Sequence, residues 1–310
     1  MLKKIILITL YIFLATSSVV FGVYIASIVT EPINPTFTED GSQIVVDKPQ
    51  SGRVNVLFAG LDVGGYRSDT IMVASIDLLT KKISVLSIPR DTRIKLNGSY
   101  AKINAAIGTP GRVQTLINAI KEITDLPISY YVTVENDGFR NIIDKLGGVY
   151  IDVPQDMRYR DPVQKLNINL KKGYQLLDGD KAEQFVRFRS YPNADYERIK
   201  AQQMFMRELI KQKLTLQNIA NAKEIFNEAK KYVSTNIGVS DILKYVDLLK
   251  SVDSSSVQFF TLPSYAEYIN KISYVLYSKE EVTAFIKENF SVTTEAELSK
   301  PSNDIQSTGS

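Results

Sequence analysis

Arg53-Val-Asn-Val-Leu-Phe-Ala59, Thr70-Ile-Met-Val-Ala-Ser-Ile76 and Lys82-Ile-Ser-Val-Leu-Ser-Ile88 are three short runs dense in β-branched residues, and they decide the fold class. Each reads as a strand. The link Asp77-Leu-Leu-Thr-Lys81 suits a hairpin between the second and third. Downstream the period changes. Gly111 to Asp125 carries Val113, Leu116, Ile117, Ile120 and Ile123, the stripe of an amphipathic helix. Ile128 to Val134 reads as a strand, and Asn136 to Leu146 as a helix with Asn136 as N-cap and Gly147 as C-cap. Val149 to Val153 reads as a strand. Helices follow over Tyr196 to Leu214, Gln217 to Val233 and Asp241 to Val252. Val257 to Leu262 and Ile272 to Tyr277 return to strand, and Lys279 to Asn289 closes with a helix. Strands interleaved with helices predict an α/β fold, a mixed central β-sheet flanked by helices, in one domain over residues 53–290.

The N-terminus places this domain. After Lys3 and Lys4 no charge occurs until Glu31. The apolar stretch 5–30, as a helix, would span roughly 39 Å, enough to cross a bilayer. Lysines before it put residues 1–4 in the cytoplasm and the remainder outside, as a single-pass membrane protein with an extracellular domain. The stretch is longer than the apolar region of a cleaved signal peptide. Residues 31–52, with Pro32, Pro35, Pro49, Gly41 and Gly52, read as a linker. Residues 291–310, rich in Ser, Thr and Asn, read as a disordered tail.

The 310 residues include no cysteine and no histidine. Disulfides, thiolate nucleophiles, Cys-ligated zinc and imidazole acid–base chemistry are thereby excluded. The formal net charge of +3 gives no ground for a nucleic-acid partner. The arginines are distributed unevenly: all 12 lie between Arg53 and Arg207. A guanidinium is the better fork for phosphate oxygens.

Four clusters carry candidate chemistry. Gly60-Leu-Asp62-Val-Gly-Gly-Tyr-Arg67-Ser-Asp69-Thr70 leaves one strand and enters the next, so Asp62 and Asp69 can converge at one sheet end. Two carboxylates without His or Cys suit Mg²⁺, but from this spacing alone a polar glycine turn with caps is the better account of them. Ser87-Ile-Pro-Arg90-Asp91-Thr92 follows a strand and reads as an ion pair or an anion contact. Lys102-Ile-Asn104-Ala-Ala is the third, with Lys102 otherwise a solvated lysine. The fourth is Phe185-Val-Arg187-Phe-Arg189 with Asp195, Arg198 and Gln202. Read as a strand, it places Arg187 and Arg189 on one face, where they repel unless an anion or carboxylates lie between them. Asp195 stands where a helix cap would.

In this order the clusters resemble the LytR-CpsA-Psr family of cell-wall glycopolymer ligases. The matching motifs are Arg67-Ser-Asp-Thr-Ile-Met72, Ser87 to Thr92, Lys102 to Ala106, Leu146-Gly-Gly-Val149, Leu177-x-Gly-x-x-Ala182, Val186 to Arg189 and Asp195-x-x-Arg198. The resemblance spans about residues 53–262. It implies a phosphotransferase that moves a glycopolymer (teichoic acid, capsule or similar) from polyprenyl pyrophosphate to a peptidoglycan hydroxyl, forming a phosphodiester. It further implies that Asp62 and Asp69 bind Mg²⁺ or Mn²⁺, and that Arg67, Arg90, Lys102, Arg187, Arg189, Arg198 and Gln202 surround the pyrophosphate. Asp195 would orient or deprotonate the acceptor, with Arg90 and Arg198 at the reacting group. Where the family often has Gly before the last Arg and Arg before the Gln, this chain has Glu197 and Ala201. A polyprenyl tail needs an apolar slot, which the helices after Gly111 and Asn136 would line if they are not simply core. Two other functions share the site: a polyprenyl-pyrophosphate phosphatase, and a non-enzymatic polyprenyl-phosphate-binding regulator.

Overall fold

The computed structural model describes residues 44–49, 52–162, 166–189, 194–252 and 257–291. The chain divides into units 1–35 and 36–310, and every described residue belongs to the second. The expected membrane helix 5–30, most of the expected linker, and the tail beyond Ser291 lie outside the described residues. Among the described residues no helix is long and apolar enough to cross a membrane.

A six-stranded mixed sheet forms the centre. Strands β1 (Arg53–Leu61), β2 (Ser68–Asp77) and β3 (Ile83–Ser87) follow one another in antiparallel succession. The Asp77–Lys81 link turns β2 into β3, with the Asp77 carboxylate accepting the N–H groups of Leu79 and Thr80. Two further hairpin strands, β4 (Arg93–Leu96) and β5 (Ser99–Lys102), precede a short 3-10 turn over Ile103–Gly108. Helix α1 (Arg112–Thr124) leads to β6 (Tyr130–Glu135), which pairs parallel with β1. Near the C-terminus β11 (Val233–Thr235) adds to β6 and β12 (Gln258–Thr261) adds to β3. The order is β11-β6-β1-β2-β3-β12, the expected mixed sheet flanked by helices.

Strand alternation divides the apolar side chains between two faces. Leu57, Ala59, Ile71, Val73 and Leu86 pack under α1 and the last helix, α8 (Lys279–Asn289). Phe58, Met72, Ile83 and Val85 point the other way, towards α4 (Ala194–Lys213). Both faces are covered, which explains why these strands read as nearly continuous apolar runs.

A second core lies beside the sheet. It joins α2 (Asn136–Lys145), α3 (Gly179–Arg187) and α4 to β7 (Val149–Val153), β8 (Met157–Asp161), β9 (Leu166–Leu170) and β10 (Gly173–Leu177). Its centre is Val149, Ile151, Phe185, Phe188 and Phe205. Close helix packing here requires Gly179, because a Cβ at that position would collide with the Arg140 carbonyl.

Several elements differ from the sequence reading. Residues 185–187, read as part of a strand over 185–189, instead end a helix over Gly179–Arg187; the Asp178 carboxylate caps it by accepting the Lys181 N–H at 2.9 Å. The stretch Gln217 to Val233 breaks into α5 (Leu216–Ala220), α6 (Ala222–Ala229) and the start of β11. Asn221 stands between the two helices outside helical geometry, and β-branched Val233 to Thr235 pair with the edge of β6. Helix α2 is capped at Glu135 rather than at Asn136. The remaining helix, α7 (Val239–Ser251), and the hairpin β13 (Tyr265–Ile269) and β14 (Ile272–Leu276) complete the domain.

Candidate active site

The site forms where β1 ends and β2 begins. The Asp62 carboxylate closes the intervening turn, its Oδ1 accepting the N–H groups of Tyr66 at 2.9 Å and Arg67 at 2.8 Å. Gly64 and Gly65 hold φ of +90° and +70°, which this turn needs. Arg112 donates to the Gly65 carbonyl at 2.9 Å, tying the turn to the start of α1. The β1–β2 register then breaks: Gly60 faces Thr70 but Leu61 faces Ser68. Asp69 is the residue left out of the ladder. Strict alternation would send it the way of Ile71, into the apolar layer under α1; the bulge re-aims it.

Asp69 is thereby held by arginines from two distant segments. Arg90 Nη1 donates to its Oδ1 at 2.6 Å, and Arg189 Nη2 to its Oδ2 at 3.0 Å. Burial pushes the Asp69 carboxyl up, but Arg90, Arg189 and the nearby charge of Arg198 outweigh it and hold the group below the ordinary carboxylate range. Arg90 sits on a tight turn in which Thr92 donates through both its hydroxyl and its N–H to the Pro89 carbonyl. The Arg90 carbonyl in turn accepts the Asn104 N–H, which docks the Lys102–Asn104 motif beside it. Lys102 Nζ lies 3.2 Å from the Asp91 carboxylate. Charges of alternating sign therefore run from Arg189 through Asp69, Arg90 and Asp91 to Lys102.

The arginines of the fourth cluster arrive from a helix end. Arg187 closes α3, Phe188 is extended, and Arg189 follows. The same-face strand reading of this pair is therefore corrected. Their charges are balanced separately, Arg187 by Glu183 at 2.6 Å and Arg189 by Asp69. Glu183 also takes Arg140 at 2.5 Å. Arg198 comes from α4 and is only 2% exposed. Gln202, one turn on, donates to the Val186 carbonyl at 3.3 Å and fixes α4 against α3.

Asp69, Arg187, Arg189, Arg198 and Gln202 line one cavity of about 140 Å³. Its floor is apolar: Phe58, Met72, Val132 and Val134 from the sheet, Phe139 from α2, and Phe205 from α4. The slot thus lies between the two cores, with Arg189 and Arg198 beside Asp69 and Arg187 beside Glu183. Helix α2 lines it as expected, whereas α1 does not; α1 is on the opposite face of the sheet, filling the core there.

Other expected site residues are less central. Arg67 is exposed, and Lys102 reaches the cluster only through Asp91. Asp62 faces an adjoining depression with Arg140, Asp180 and Glu183, which meets the slot at Asn136 and Arg187. Asp195 is the second residue of α4, and its side chain lies outside the described residues. The two departures from the family pattern fall away from the slot: Glu197 pairs with Lys200 at 3.1 Å and Ala201 packs into the second core. Sequence reasoning missed Glu183. Its signal was the spacing of four before Arg187, which has meaning only on a helix.

Among the described residues no three acidic side chains gather for a metal ion. Asp69 has both oxygens engaged by arginine, and Asp62 uses Oδ1 to close its turn. Asp62 and Asp69 line different depressions, and this donor set is too small for a protein-only cage.

The site thus sets guanidiniums beside an apolar slot in a mixed α/β domain. The chain belongs to the LytR_cpsA_psr family, whose pattern matches residues 20–291. It is 33% identical over 202 residues to the polyisoprenyl-teichoic acid–peptidoglycan teichoic acid transferase TagV of Bacillus subtilis (strain 168), a match covering 63% of this chain and 51% of that protein. It is 31% identical over 199 residues to the regulatory protein MsrR of Staphylococcus aureus (strain COL), covering 62% and 59% respectively. The chain thus spans little more than half the length of these relatives. The crystal structure of B. subtilis TagV aligns with a TM-score of 0.67 at 28% identity, covering 80% of this chain and all of that one.

Proposed function

We propose that this protein is a membrane-anchored phosphotransferase that links a glycopolymer to peptidoglycan. The donor is the polymer on polyprenyl pyrophosphate, and the anchor is the apolar stretch 5–30. One observation carries the reading: Arg187, Arg189 and Arg198 all line one otherwise apolar slot, matching a ligand with an anionic head and a hydrocarbon tail. The reading is also supported by the transferase name of the B. subtilis relative.

In this reaction the acceptor hydroxyl oxygen attacks the phosphorus nearest the sugar. A new P–O bond forms, the bond to the bridging oxygen breaks, and polyprenyl phosphate leaves with the electron pair. The hydroxyl proton passes to a base, a role assigned here to Asp195. Such transfer needs charge neutralisation and alignment more than a protein nucleophile, consistent with a chain lacking His and Cys. Arg90, Arg187, Arg189 and Arg198 neutralise the two phosphates, with Arg67 and Lys102 at the periphery and Gln202 holding α4 in place. Asp69 keeps Arg90 and Arg189 in position until phosphate displaces it. Mg²⁺ or Mn²⁺, held by Asp69 and Asp62 together with the donor, would supply further charge neutralisation.

The test is to incubate the full chain with a polyprenyl-pyrophosphate-linked saccharide, Mg²⁺ and peptidoglycan oligomers. Covalent saccharide–peptidoglycan product is expected. Phosphate release without acceptor would favour a phosphatase. Lipid binding without turnover, unchanged by Asp62→Ala or Asp69→Ala, would overturn both enzymatic readings and favour a binding regulator.

A further inference from the structure

The β8–β9 hairpin has two unlike faces. Met157, Leu166, Ile168 and Leu170 are buried in the second core. The outward positions are Arg158, Arg160, Asn167 and Asn169, all exposed. Register places Arg158 opposite Asn169 and Arg160 opposite Asn167. Two guanidiniums therefore stand two residues apart on one strand face, roughly 7 Å along it, and face amides rather than carboxylates. Lys171 extends the row. Asp156 at the hairpin base lies 3.1 Å from Lys171 and 3.8 Å from Arg158. With the Arg158 side chain 68% exposed, such a pair exchanges readily for another anion.

This face connects with the catalytic slot. The depression over the hairpin shares Asn167 with the one beside Asp62 and Glu183, which in turn shares Asn136 and Arg187 with the slot. Gln184 of α3 accepts the Asn169 N–H at 2.9 Å, fixing the hairpin to the helix that ends in Arg187. The intermediate depression carries four acids, Asp62, Asp137, Asp180 and Glu183, against Arg140 and Arg187. It suits hydroxyl-rich sugar rather than phosphate. The surface thus runs from cationic to acidic to cationic, outward from the slot.

We propose that the outer face of the β8–β9 hairpin is a docking surface for anionic repeat units of the donor's polymer, with Arg158, Arg160 and Lys171 taking their phosphate or carboxylate groups. The inference rests on the transferase reading for its occupant. Arginine forks supply the charge, and Asn167 and Asn169 supply donors and acceptors for polyol hydroxyls. The donor is thereby gripped at both ends, its pyrophosphate in the slot and its distal units on the hairpin.

The experiment uses the full chain in detergent and two lipid-free probes of equal length, a poly(glycerol phosphate) oligomer and a neutral dextran. The Arg158→Ala/Arg160→Ala double variant is expected to lose roughly tenfold or more in affinity for the phosphate polymer, the scale of lost charge-assisted contacts. Dextran binding should not change. Arg158→Lys/Arg160→Lys should recover much of the loss. Transfer from a lipid donor carrying only a disaccharide should match the unaltered protein in every variant. Undiminished polymer binding by the alanine variant would overturn the proposal, as would equal affinity for dextran or loss of transfer from the short donor. If the unaltered protein transfers nothing, the transferase reading fails, and the polymer-binding comparison still decides this one.

Discussion

Arg189 meets Asp69 at 3.0 Å across 120 residues of sequence, and this contact joins the sheet to the end of α3. It balances a guanidinium in the absence of ligand and keeps it aimed at the slot. Arg189→Ala is expected to lower transfer at least about 100-fold, the scale seen when one preorganised donor to a developing charge is removed. The fold should persist, since the side chain is 30% exposed. Product formation and far-UV circular dichroism on the same preparation check both halves.

The same carboxylate makes stability depend on pH. The Asp69 pKa is lowered in the folded state, so its stabilisation is complete above the unfolded value, about 3.9, and is lost as pH falls through the lower folded value. The stability difference between the unaltered protein and Asp69→Asn should be flat from neutrality to about pH 5 and shrink below pH 4. Urea titrations at several pH values measure it. A difference that grows on acidification would refute the assignment.

Filling the slot separates lipid binding from head-group chemistry. Val132→Met with Val134→Met places flexible side chains where the hydrocarbon would lie. The KM for a long-chain donor should rise roughly tenfold, the scale of a few buried methylenes. A donor with a very short prenyl chain should be less affected.

Helix packing in the second core rests on a glycine. Gly179→Ala drives a methyl group into the Arg140 carbonyl and must separate α2 from α3. The expected loss exceeds about 2 kcal/mol, read from chemical denaturation, and activity should fall with it because α3 carries Arg187.

Glycine also positions the catalytic turn. A Cβ on Gly108 would lie 2.6 Å from the Tyr66 carbonyl. Gly108→Ala should therefore move the turn that carries Asp62 and lower kcat more than it lowers thermal stability. The comparison is between the kcat ratio and the shift in Tm.

The sheet was legible in the sequence because its strands are buried on both sides, so Val54 to Ala59 and Ile83 to Ser87 have no exposed face and read as nearly apolar runs. The three hairpins at 93–102, 157–170 and 265–276 were less so. Their strands are short, and charged or polar residues such as Arg158, Lys95 and Glu267 occupy alternate positions. The site was legible as a set of residues and less so as a geometry. Aromatic and β-branched Phe185, Val186 and Phe188 gave residues 185–189 the look of a strand, whereas Ala182 and Phe185 bury one face of a helix capped by Asp178. The role of Asp69 depends on a bulge that no local pattern announces, since Arg67 to Thr70 are polar throughout and carry no period.

The apolar slot is a seam between two separately filled cores, one under the sheet and one around Phe185 and Phe205, rather than a hole cut into either. Helix α4 bridges the two: Ala201 and Phe205 pack into the second core, Met206 and Ile210 pack on the sheet, and Gln203 donates to the Phe260 carbonyl at 3.0 Å. Because Arg187 and Arg198 come from α3 and α4 and Asp69 from the sheet, the seating of that one helix across the seam also sets the spacing of the charges along the slot.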